Sequence, residues 1–547
     1  MNAIRSGFSA EVGTLARISA LSLAGAILAM AAVLRLSSLS NQSLLMFDTA
    51  QVVYNPIVLL KEGYFPYSTA RHAYIALVAG VYALAGENLT TASYLSALFG
   101  TLAVGLVGIL AWSVGRCWLT ASLAAGFMAG AYLPIWWSRM GMPYIWAMCV
   151  ATVGFMFLYR SERDRNPRFF WWGALFLGYA FANHYSMIFA GASYAVWEIV
   201  REMEARSLQL RSLMKQFLIF ALFFSIAPAL SDLSVRLLRF FSGYDGALVE
   251  SKSKLLQVLG LFFSNADAEV NQSYIREVVG ALFFNIHLGA DTPGFTYYLR
   301  VLSYFEGFGF TILAIISLVY LFFLWCRRYN GSARFVFLFT ATPLILHSVI
   351  AGTGGLAVPR ALVVAYPTLV ISIAWLLVDA ATVFAGWIFG GSKAPKICWL
   401  GRMTTIIAII VGFGIYGWKN THSLRALRTY YPAAQSFLRE NAEVQHIGVF
   451  GNVALWTLLS GRQVRFIYSR EDFDRFQRLT GEKAIILQHK PEGRVSWAAS
   501  LNGVPYKSFP NPVERSVIVS AEEGPGRIPT QDELNSLWGE VRVYIFQ

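Results

Sequence analysis

At 547 residues, 56% hydrophobic and only 14% charged, with a mean hydropathy of +0.51, the chain is too apolar for a soluble globular protein. Its net charge of +13 does not indicate nucleic acid, because no basic patch with interleaved aromatics occurs and the cations fall mostly between apolar runs. The four cysteines, Cys117, Cys149, Cys326 and Cys398, lie in or beside apolar segments and spell neither a disulfide framework nor a CxxC metal site.

Runs of about 20 apolar residues are long enough to cross ~30 Å of hydrocarbon as helices. In chain order they predict spans at 15–36, 92–114, 118–137, 143–160, 169–183, 185–200, 216–233, 299–325, 335–351, 361–380 and 401–418. The chain reads as a polytopic α-helical membrane protein of about 11 transmembrane helices. The first run is too long for a signal-peptide core and is expected to stay as an anchor.

Alternate connections hold the cations: Arg160, Arg163, Arg165 and Arg168; Arg201, Arg206, Arg211 and Lys215; Arg327, Arg328 and Arg334; Lys393, Lys396 and Arg402. The opposite connections carry little beyond Arg139, His184 and Arg360. Positive loops stay inside, so the amino terminus is expected inside and the tail outside a multi-pass inner (plasma) membrane protein.

Two outward connections are too long to be turns. The first, 37–91, contains MFDTAQVVYNPIVLL (Met46 to Leu60) and then HAYIALVAGVYALAG (His72 to Gly86), apolar but short, as an interfacial or re-entrant helix would be. The second, 234–298, mixes apolar pieces with Asp267, Glu269, His287 and Asp291, and could lie over the bilayer as a lid. Residues 1–418 thus form the membrane domain. From 419 to 547 the pattern alternates β-type runs (446–452, 463–468, 484–489, 516–520, 541–546) with helical ones, predicting a small extracytoplasmic α/β domain. No GxGxxG or GxxxxGK[ST] accompanies them.

As a helix, the Met46 to Leu60 stretch sets Asp48, Val52, Asn55 and Leu59 on one face. Asp48 then has two readings, a chemical carboxylate or an acid that favours a helix amino terminus. Arg71 could snorkel to headgroups, Arg139 could belong to an aromatic belt with Trp136 and Trp137, Arg360 could cap its helix, and His184 could be a turn residue. His287 and Asp291 have the i, i+4 spacing of a metal pair, although Gly289 weakens the helix between them.

The order of blocks carries a resemblance. An outward acid and amphipathic helix after the first span, then KEGYFPYSTARHAYIALVAGVYALAG, TASYLSALFGTLAVGLVGILAWSVGR, YLPIWWSRMGMPYIWAMCVATVGFMFLYR and VPRALVVAYPTLVISIAWLL, resemble the GT-C membrane glycosyltransferases. The RgtA/B/C/D-like, aminoarabinose-transferase and protein O-mannosyltransferase branches are the nearest in pattern. The resemblance implies transfer of a sugar from a polyprenyl-phosphate-linked donor to a lipid, glycan or protein acceptor at the outer face, in contact with membrane lipids and without nucleic acid. It implies that Asp48 is the catalytic carboxylate and that Arg71 or His72 meets the carrier phosphate. Arg139 and Arg360 are further substrate-binding candidates, with Asn55 on the face of Asp48. The single displacement expected of such a site inverts the anomeric centre.

The chain also departs from that pattern. Thr49 follows Asp48 where many relatives have a second acid, and Met142, Pro143 and Tyr144 stand where another acid often follows the arginine. No cofactor follows from the sequence. A divalent metal would need Asp267, Glu269, His287 or Asp291. Two other readings share the hydropathy: an inactive scaffold of the same fold, and a lipid-linked-saccharide transporter, which would call for charges buried in mid-span and an internal repeat.

Overall fold

The computed structural model describes residues 10–39, 47–63, 72–88, 90–115, 117–204, 209–242, 294–328, 330–353, 359–388, 395–422 and 431–441. Beyond these it describes short pieces of the carboxy-terminal part, chiefly its strands. The first half holds α1 (Ala10–Leu36), α2 (Phe47–Glu62), α3 (His72–Ala85), α4 (Thr91–Gly115), α5 (Trp118–Gly130), α6 (Tyr132–Arg139), α7 (Tyr144–Asp164), α8 (Pro167–Asn183), α9 (Ile188–Glu204) and α10 (Leu210–Ser242). After residue 293 come α11 (Tyr297–Glu306), α12 (Phe308–Arg328), α13 (Gly331–Gly352), α14 (Tyr366–Ile388), α15 (Pro395–Asn420) and α16 (Tyr431–Glu440).

Every span expected from the sequence corresponds to helix. Among the described residues, eight helices are long and apolar enough to cross a membrane: α1, α4, α7, α10, α12, α13, α14 and α15. The pair α5 and α6, bent by 56°, would make a ninth. The other two, α8 and α9, have 17 residues each, about 26 Å at 1.5 Å per residue, and are joined by one 3₁₀ turn at Tyr185–Met187.

Two expected spans are broken, each for a local reason. The run 118–137 breaks at Ala131 (φ −68°, ψ 140°). Pro134 has no N–H to give the carbonyl of Gly130 and lies in the first turn of α6, where proline is tolerated. The run 299–325 breaks at Gly307, whose φ of +89° suits glycine and strains other residues. The acid that precedes it, Glu306, therefore ends a separate helix, α11.

The break at Gly130 is packed against α15. A Cβ on Gly417 would stand 2.3 Å from the Gly130 carbonyl oxygen, so the two backbones touch where both residues lack a side chain. The core is aromatic between helices: Phe155 meets Phe339 edge-on at 5.1 Å, and Tyr194 stacks on Phe220 at 4.1 Å.

In the tail, β1 (His446–Phe450), β2 (Val464–Phe466), β3 (Ala484–Gln488), β4 (Tyr506–Phe509) and β5 (Val541–Phe546) form one sheet in the order β2-β1-β3-β5-β4. β1 pairs in parallel with β2 and β3, while β5 runs antiparallel to β3 and β4. The parallel pairs need crossovers, as the alternating α/β pattern implied. The expected strand at 516–520 lies outside the described residues. Tyr506–Phe509 is a strand that apolar patterning does not reveal, since Lys507 and Ser508 fill its middle.

Candidate functional site

The helix break at Ala131 is electrostatically dressed from two other helices. Arg35, fully buried in the last turn of α1, donates from Nη2 to Met128 O (2.8 Å) and from Nη1 to Ala129 O (3.0 Å), closing the carboxyl end of α5. Glu306 accepts from the amides of Tyr132 and Leu133, both at 2.8 Å, opening α6. A cation thus sits on the carbonyl end of one half-helix and an anion on the amide end of the next, the arrangement that helix dipoles favour.

Arg139, at the last position of α6, is also fully buried. Its Nη1 donates to Arg35 O and Ser37 O, each at 2.9 Å, and to Leu34 O at 3.3 Å, so the guanidinium closes the end of α1. Ser138 accepts from Arg35 Nε at 3.2 Å and completes the link.

Arg360 has different surroundings. It lies on the 3₁₀ turn Pro359–Val364 and donates from Nη1 to the Tyr144 hydroxyl at 3.0 Å. Tyr144 opens α7, and its ring meets His184 edge-on at 5.0 Å. His184 stacks on Tyr185 at 4.6 Å and holds Ser186 Oγ at 2.6 Å through Nδ1. Tyr297, on α11, is 4% exposed; burial raises its pKa well above the ordinary phenol value, with Tyr185 adding to the rise and Arg300 and Arg360 opposing it. It remains a neutral donor at physiological pH. His347 of α13, 1% exposed, meets the Phe189 ring edge-on at 4.3 Å.

The start of α3 joins this group through α8. Tyr74 N donates to Asn183 Oδ1 at 3.1 Å, and Tyr74 OH to Ala92 O at 2.9 Å. His72 Nδ1 meets Ser231 Oγ of α10 at 3.1 Å. The structure therefore brings His72, His184 and Arg360 to one end of the bundle, the end the charge pattern assigns to the outside. Arg139 lies at that end too, with its guanidinium on α1. Asp48 stands in the first turn of α2, which packs against α3. Asn55 of the same helix is fully buried, and among the described residues neither polar atom of its amide has a hydrogen-bond partner. Arg71, Asp267, Glu269, His287 and Asp291 lie outside the described residues, and among the described ones no cluster of three or more His, Cys, Asp or Glu forms.

Sequence reasoning did not single out Tyr144, Tyr297 or Glu306. Glu306 had a signal: an acid followed by glycine inside an apolar run, which is costly in a continuous span.

The opposite end carries a different charge network. Arg334, at the start of α13, pairs with Glu162 of α7 and Glu204 of α9, and Trp325 of α12 donates to the same Glu204. Residues in or beside three of the four positive loops expected on one side thus meet at one end. An apolar groove of about 810 Å³ between α1, α4 and α5, walled by Trp112 and Trp118, also lies toward that end and has no charged lining residue.

No protein-family model matches the sequence, and comparison with curated proteins finds no match. Solved structures do match in fold. The apo form of ArnT from Cupriavidus metallidurans superposes with a TM-score of 0.58 at 11% identity, covering 98% of each chain. The same protein bound to undecaprenyl phosphate gives 0.57 at 10% identity, over 96% of this chain and 97% of that one. The archaeal oligosaccharyltransferase AglB from Archaeoglobus fulgidus, in complex with an inhibitory peptide and a dolichol-phosphate, gives 0.55 at 11% identity, over 86% of this chain and 69% of that one. The chain shares the fold of these solved structures.

Proposed function

We propose that the chain is an integral-membrane glycosyltransferase that moves a sugar from a polyprenyl-phosphate-linked donor to an acceptor at the outer face. The observation that carries this reading is the placement of Arg360: a cation on a short turn, held by Tyr144 beside His184 and Tyr297, where α3 begins. Two solved structures of the same fold were determined with a polyprenyl phosphate bound, which supports the same class of carrier here.

In the reaction, an acceptor hydroxyl attacks the anomeric carbon and loses its proton to Asp48. The bond from that carbon to the phosphate oxygen breaks, and the electron pair leaves with the polyprenyl phosphate. Single displacement inverts the anomeric centre. A positioned base contributes about 10²- to 10⁴-fold. Charge growing on the leaving phosphate is met by the guanidinium of Arg360, a bidentate-capable donor. The buried, unbonded amide of Asn55 supports a substrate contact on the helix that carries Asp48. The donor enters laterally from the membrane, and Arg71, His72 and Arg139 are the remaining candidates for its phosphate.

Sugar transfer by the reconstituted full chain tests this reading: Asp48→Asn is expected to abolish it, and parental activity in that variant removes Asp48 as the base. One observation favours the scaffold reading instead. Arg139 spends its Nη1 on α1 carbonyls, as a purely architectural arginine would.

A further inference from the structure

Glu306, the last residue of α11, bonds both α6 and the first residue of α14. It is 2% exposed, and its carboxylate takes the amides of Tyr132 and Leu133 at 2.8 Å and the hydroxyl of Tyr366 at 2.7 Å. Capping α6 does not by itself require such a residue. A Ser, Thr or Asn at position 131 would do that locally for about 1 kcal/mol. The chain has Ala131 there, with no side-chain cap, and takes its acceptor from α11.

The third bond explains the choice. Tyr366 opens α14, and the turn that carries Arg360 runs straight into it, with Ala365 N bonded to Leu362 O at 3.0 Å. Trp137 of α6 packs edge-on against the Tyr366 ring at 5.6 Å. A carboxylate can accept several bonds at once, so Glu306 fixes α6 and the start of α14 relative to each other. Arg360 lies on the six-residue 3₁₀ turn Pro359–Val364 that leads into Tyr366.

We infer that Glu306 is a positioning residue for the proposed transfer, acting through Tyr366 to hold the guanidinium of Arg360 where the carrier phosphate binds. The inference rests on the reading of Arg360 as a phosphate ligand. Misplacing such a group by about 1 Å can cost on the order of 10²-fold.

The test titrates the full-length protein in lipid nanodiscs with undecaprenyl phosphate and records the unfolding temperature of each variant. Tyr366→Phe removes one hydroxyl and leaves the Glu306 charge and both α6 caps in place. It is expected to unfold within a few degrees of the parent and to bind the probe about tenfold more weakly. Glu306→Gln is expected to weaken binding at least as much. In an Arg360→Ala background, Tyr366→Phe should cost nothing further, because both changes act on the same contact. Parental affinity in Tyr366→Phe, or full additivity with Arg360→Ala, overturns the inference. If Arg360→Ala or the parent shows that Arg360 has no part in binding the probe, the reading beneath it fails as well, and the two failures are distinguishable.

Discussion

Arg35 and Arg139 close each other's helices: Arg35 caps α5, which leads through Ala131 into the helix ending at Arg139, and Arg139 caps α1, which ends beside Arg35. Both buried guanidinium groups thereby bond backbone carbonyls at the end of the bundle where Arg360 lies. This reciprocity ties α1, α5 and α6 into one unit.

Replacing Arg35 with Met should leave the carbonyls of Met128 and Ala129 without their donor and cost about 3 kcal/mol. A lowered unfolding temperature in detergent is the expected result. Gly100→Ala should act on the same junction, since its Cβ would fall 2.0 Å from Ser138 Oγ and 2.9 Å from Arg35 Nε. A loss of about 1–3 kcal/mol is expected.

Arg360→Ala should lower kcat/KM for a lipid-linked donor by about 10²- to 10³-fold, the scale set by loss of a preorganised charge-stabilising donor. Tyr144→Phe removes one support of that guanidinium and should cost less than Arg360→Ala. Equal kinetics in all three proteins would show that the turn has no catalytic duty.

At the opposite end, Arg334→Met leaves Glu162 and Glu204 without their shared cation. Arg334 is buried but both carboxylates are about a quarter exposed, so a stability loss of about 1–3 kcal/mol is expected. Transfer per folded molecule should stay at the parental value, which assay after size-exclusion of the folded fraction would check.

The product of transfer should have the anomeric configuration opposite to that of the donor, as NMR of the purified glycan would record. Retention would require a second displacement and a covalent intermediate.

The membrane helices were legible because length and hydropathy dictate them: each expected span falls on helix, although 118–137 and 299–325 are each two helices and, among the described residues, eight single helices are long and apolar enough to cross. The breaks at Ala131 and Gly307 were less visible, since apolar composition continues across both and only Pro134 and the Glu306-Gly307 pair interrupt it. Arg360, His72 and His184 could be assigned to one side from charge alternation. That Arg139 would turn onto α1 could not be read, because it depends on where the end of α1 lies in space. Tyr144 and Tyr297 escaped for the same reason: a tyrosine at a helix start carries no sign of which arginine will reach it. The tail strands followed from β-type runs, except Tyr506–Phe509, where the alternation is too short to see.

The central claim concerns the carrier, so the most direct measurement follows it. The full chain, reconstituted in proteoliposomes with a radiolabelled polyprenyl-phosphate-linked sugar and candidate acceptors, should release polyprenyl phosphate in step with glycosylated product, and Asp48→Asn and Arg360→Ala should each suppress that release. Failure of the parent protein to release carrier from any lipid-linked donor, or undiminished release by both variants, would contradict the account.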